Sequence, residues 1–144
     1  MSELKFSTGL VTYTVNDCCE IQFNPSDSFF VERLFSTMEK LSNRQEEGEQ
    51  NNTAYADDPA KIFALARSRE AEMRFEIDNL FGKPVCDELF HNMAVYALAD
   101  GLPLWANFLM AIVDEIDESL AVQNQMADAR VAKYKAKYAK YRRK

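Results

Sequence analysis

A single histidine, His91, limits what catalysis this 144-residue chain could support. A Ser-His-Asp or Cys-His arrangement would depend wholly on it, and a metal cluster built on several imidazoles is excluded. His91 falls between Phe90 and Asn92 in a helical pattern, which favours a structural or solvent-facing role. The cysteines offer little more. Cys18 and Cys19 are adjacent, so on a strand they point to opposite faces and lack the spacing of a zinc pair or a redox dithiol, and Cys86 stands alone. Three is also an odd count for a disulfide framework, so free thiols in small apolar roles are expected. Glycines at positions 9, 48, 82 and 101 are too scattered for a phosphate loop. Asp114, Glu115, Asp117 and Glu118 cluster without a Glu-x-x-His companion, and read as a solvated acidic face or a dock for the basic tail of another copy. No catalytic residue, metal site or cofactor is expected.

The stronger chemistry is electrostatic. Residues 130–144 hold eight basic side chains and no acidic one, against a formal charge of -6 for the whole chain. The remainder carries nine basic and 23 acidic residues, a body of about -14 with a tail of +8. Such a tail suits an acidic partner surface or a second copy of the chain. Its string KYKAKYAKYRRK, residues 133–144, also raises nucleic acid, because lysines neutralise phosphates and tyrosines stack on bases. Against that stand the acidic body and the favourable meeting of basic residues with a helix C-terminus, so protein docking leads. Membrane contact ranks lower still, since the tail's apolar face has tyrosine and alanine but no leucine. The longest apolar run, residues 102–113, is too short to span a bilayer, and the first residues carry no secretory pattern; a cytoplasmic location is expected.

The elements that must position these groups follow from periodicity. Val11, Tyr13 and Val15, then Cys19, Ile21 and Phe23, alternate with polar residues and predict a β-hairpin turning at Asn16-Asp17. Gly9 marks a bend or a further edge strand. Asn24 as cap and Pro25 as first residue predict a helix carrying Phe30, Val31, Leu34, Phe35, Met38 and Leu41 on one face. Residues 42–58, rich in Glu, Gln and Asn, read as a mobile loop. Asp58-Pro59 starts a second helix ending at Gly82, and Pro84 opens a third that runs to Asp100-Gly101. Pro103 starts a last, long helix. Its seam of Leu102, Trp105, Leu109, Ile112 and Ile116 continues through Leu120, a stutter, and then Ala127, Val131, Tyr134, Tyr138 and Tyr141. The expected fold is α+β and predominantly helical: an N-terminal hairpin, about four helices, and a basic projecting end. Residues 1–129 form one acidic domain, with residues 130–144 as its tail.

In order, EIQFNPSDSFFVERL at 20–34, EIDNLFGKPVCDELF at 76–90, PLWANFL at 103–109 and the basic tail resemble the tail assembly chaperones of long-tailed bacteriophages and prophages. That resemblance implies a non-enzymatic protein of the bacterial host cytoplasm that binds the tape measure protein, keeps it soluble, helps recruit tail tube protein and self-associates. The family supplies no catalytic residues to carry over. The candidate protein-binding residues are Phe30, Phe35, Trp105, Leu109, Ile112 and Ile116, together with Tyr134, Tyr138, Tyr141, Arg142 and Arg143 of the tail.

Overall fold

The computed structural model describes residues 1–142, except for the side chains of Tyr138, Lys140, Tyr141 and Arg142. Strands β1 (Val11–Val15) and β2 (Cys19–Phe23) form the expected hairpin, pairing Val11 with Phe23 and Val15 with Cys19. Asn16 and Asp17 both take positive φ, 50° and 56°, and Cys18 N–H donates to the Val15 carbonyl at 3.1 Å. Asparagine and aspartate tolerate this region, which lets the turn form without glycine. Period-two alternation puts Cys19, Ile21 and Phe23 in the core.

Helix α1 (Ser28–Ala54) starts three residues later than the cap at Asn24 would give. Asp27 is the cap, accepting from Phe29 N–H at 3.0 Å. Asn24 instead closes its own turn. Its Oδ1 accepts from Ser26 N–H and Oγ–H, while Nδ2 donates to the Thr8 carbonyl at 2.8 Å. The helix then runs through most of residues 42–58, which corrects the mobile-loop expectation. Only Tyr55, Ala56 and Asp57 turn the chain before α2 (Pro59–Phe81). What the loop reading lacked was the partners. Arg44 reaches Glu72 at 3.2 Å, Gly48 lies buried against Arg69, and Gln45 accepts from Trp105 Nε1–H at 3.1 Å. These anchors offset the entropy of ordering a polar segment.

Asp58 caps α2 and Gly82, at φ 68°, ends it as expected. Asp78 then accepts from both Val85 and Cys86 N–H, fixing the start of α3. Here the structure departs from the sequence reading again: α3 spans only Cys86–Phe90. His91 leaves the helix at φ 52°, and a small hairpin follows, β3 (Leu98–Ala99) against β4 (Leu102–Pro103), turning at Asp100-Gly101. Pro103 therefore lies in a strand, and α4 (Leu104–Arg142) begins after it.

An aromatic ladder ties the layers together. Tyr13 stacks on Phe23 at 4.7 Å between ring centroids and Phe23 on Phe30 at 4.5 Å, with Phe81, Phe108 and Phe90 continuing the chain of contacts. Leu34, Leu41, Met73, Ile77, Val85, Val95 and Leu109 fill the space around it and are fully buried. Among the described residues no helix is long and apolar enough to cross a membrane.

Candidate protein-binding site

Most of the apolar candidates belong to the chain's own core. Phe30, Trp105, Leu109, Ile112 and Ile116 are each less than 8 % exposed, so their faces are already covered by the hairpin and by α1 and α2. This corrects the expectation that the Trp105–Ile116 seam meets a partner. Phe35 is different, lying on the outside of α1 and 53 % exposed. Tyr134 is 63 % exposed. The side chains of Tyr138, Tyr141 and Arg142, and the whole of Arg143, lie outside the described residues.

Burial along α4 ends abruptly. Ile116 is its last buried residue among those described, and from Asp117 to Lys137 every side chain except half-buried Ser119 is exposed. That stretch would extend about 30 Å from the body at 1.5 Å per residue. At 3.6 residues per turn, Leu120, Ala127, Val131 and Tyr134 all point within about 60° of the direction taken by Ile116. The stripe that packs the core thus continues past it with nothing laid against it. Leu120 is 44 % and Val131 49 % exposed, and Met126 flanks them. The 3.6-residue period carries these residues in the sequence; the point at which the body stops covering them depends on tertiary contacts that periodicity does not encode.

Charge divides along the same helix. At its base, Asp114, Asp117 and Glu118 are exposed, while half-buried Glu115 accepts from the Tyr13 hydroxyl at 3.2 Å. Burial, and after it the Glu115 charge and hydrogen bond, push the Tyr13 phenol up to about 12. Toward the far end Arg130, Lys133, Lys135 and Lys137 are exposed, with Asp128 as the nearest acid in sequence. No ion pair joins these four cations to another described residue.

The remaining chemistry-bearing groups are spread out. His91 is exposed beside a groove with Phe63, Arg67 and Tyr96, but Arg74 at its floor is already engaged by Glu70, Asp87 and two carbonyls. Cys19 and Cys86 are buried and Cys18 is exposed, all as free thiols. No group of three or more His, Cys, Asp or Glu positioned to hold a metal occurs among the described residues. No family model, curated protein or solved structure matches the chain.

Proposed function

We propose that the chain is a tail assembly chaperone of long-tailed phages or prophages, a binding protein of the host cytoplasm rather than an enzyme. It covers apolar helical stretches of the tape measure protein, keeps that protein soluble and helps bring tail tube subunits to it. The observation that supports this reading is the uncovered stripe of Leu120, Val131 and Tyr134 on a helix that leaves the body. A helix lying along such a stripe buries apolar side chains at three- and four-residue spacing, the recurring mode of helix recognition. Exposed tyrosine suits a surface that must be wet when free and dry when bound. The identity of the partner comes from the resemblance of sequence segments, not from the geometry.

Co-expression with the tape measure gene tests it. A soluble complex is expected, lost when Leu120, Val131 and Tyr134 are all changed to Asp. Failure of the two proteins to associate at any salt concentration overturns the proposal.

A second reading rests on one observation, the exposure of Lys133, Tyr134, Lys135 and Lys137 far from the acidic body. It makes the chain a nucleic-acid-binding accessory protein, held to phosphates by its end. Retention on nucleic acid at moderate salt, abolished by removing residues 130–144, would favour it over the chaperone reading.

A further inference from the structure

We propose that the projecting half of α4 is one strand of a two-helix coil whose other strand comes from a different protein, an amphipathic helix that sets acidic side chains against Arg130, Lys135 and Lys137. This deepens the reading above and rests on its uncovered stripe. What it adds is the charge of the occupant and the exclusion of a second copy from this seam.

A helix of this length with no packing is marginal in water, and most helical stability in proteins comes from burying an apolar face. The spacing beyond the core is that of a coil. Leu120, Asn124, Ala127, Val131 and Tyr134 follow one another at steps of four, three, four and three, the heptad seam, and all of them are exposed. Asn124 is the one polar member, a residue that in such a seam fixes register at some cost in stability. Successive four-residue steps from Ile116 to Leu120 and on to Asn124 rotate this seam away from the one that packs the body. The coil spacing thus begins where burial ends.

Positions flanking a coil seam decide its partner. Arg130 and Lys137, seven residues apart, lie along one flank, and Asp128 and Lys135, also seven apart, lie along the other. All four are exposed, and no ion pair joins the three cations to another described residue. Three cations against one acid call for carboxylates on the facing helix. A second copy supplies the wrong charge or the wrong path. Laid parallel, it would bring its Lys135 against Arg130 on both flanks. Laid antiparallel along the whole seam, it would carry its last residues over Ile116 and Glu115, where the body and Tyr13 already lie.

The probe is a synthetic helix of about three heptads with leucine along its seam and glutamate on both flanks, compared with the same peptide carrying lysine on the flanks. Fluorescence anisotropy with the full chain at low ionic strength should show the glutamate peptide binding and the lysine peptide weaker by about tenfold. Combining Leu120→Asp with Val131→Asp should weaken the glutamate peptide by on the order of a hundredfold, with the melting of the body retained. Combining Arg130→Glu, Lys135→Glu and Lys137→Glu should reverse the preference between the two peptides. A glutamate peptide that does not bind overturns the proposal, as does equal binding of both peptides. So does binding indifferent to the Asp substitutions, since charge alone would then hold the peptide as it would hold nucleic acid. Because the tape measure protein takes no part in these measurements, their failure leaves the chaperone reading to its own co-expression test, and a missing tape measure complex leaves the coil standing.

Discussion

Arg74 donates its Nε–H to Glu70, one turn earlier on α2, at 2.8 Å, and the two side chains together hold the irregular segment after α3 in place. The Arg74 Nη2 group donates to the carbonyls of His91 and Met93 at 2.8 and 2.9 Å, while Nη1 meets Asp87. Glu70 accepts the Val95 N–H at 3.0 Å. Backbone groups that a longer α3 would have satisfied internally are satisfied instead by an arginine and a glutamate. That is why the chain can leave the helix at His91.

Replacing Arg74 by Met removes four donated bonds from a pair only 18 % and 19 % exposed. It leaves Glu70 and two carbonyls short of partners, and should cost about 2–3 kcal/mol. Urea denaturation measures the loss, and limited proteolysis should show new cleavage between residues 91 and 97. Glu70→Gln keeps an acceptor for Val95 and should cost about half as much. Equal stability of wild type and Arg74→Met would show that the network contributes nothing.

The sequence carried the hairpin, its turn, the start of α2 and its glycine cap, because each depends on residues within one or two turns of each other. It did not carry the second half of α1. Arg44, Gln45 and Gly48 look like loop residues until Glu72, Trp105 and Arg69 are brought beside them from far along the chain. The length of α3 failed for the same reason, since Pro84 to Gly101 is apolar enough for a helix and only Arg74 and Glu70 show otherwise. At the candidate site, the stripe was legible as periodicity. Its division at Ile116 into core and surface was not.

Gly48 makes a test of that missed contact. A Cβ there would stand 2.8 Å from Cζ of Arg69, whose guanidinium lies over Tyr96 at 5.4 Å from the ring centre. Alanine gains about 1 kcal/mol of helix propensity, and the flexible arginine can shift its end, so Gly48→Ala should change stability by less than about 1 kcal/mol. Leucine has no such escape and should cost about 2–3 kcal/mol by overpacking. Thermal melts of the two variants check this, and a leucine variant as stable as wild type would place Gly48 outside the interface.

Tyr13 should make the fold sensitive to alkali. Its phenol is raised from the ordinary 10.0 to about 12, so the folded chain keeps a proton that the unfolded chain releases earlier. The stabilisation is therefore complete below pH 10 and is lost as the pH rises toward 12. Tyr13→Phe should flatten the decline of stability across that interval, and should remove a phenol that ionises near pH 12 in an alkaline absorbance titration. Identical pH profiles for the two proteins would contradict the burial of the phenol beside Glu115.

Thiol labelling should separate the cysteines. Cys18 is exposed on the hairpin turn, whereas Cys19 and Cys86 are 7 % and 0 % exposed and burial raises both thiols. At neutral pH one equivalent of a thiol reagent should react rapidly, with the other two waiting on unfolding. Rapid reaction of all three would mean that the core under the hairpin opens easily.

Removing residues 121–144 should leave the body folded. Ile116 is the last side chain of α4 that the core buries among the described residues, and one further turn suffices to support its backbone hydrogen bonds. Surface changes away from buried contacts typically alter stability by within about 0.5 kcal/mol, and the truncated chain should unfold within that margin of the full-length monomer. Helical circular dichroism should fall by about the share of the removed residues. A truncated chain that fails to fold would show that the projecting half of α4 supports the body from which it extends.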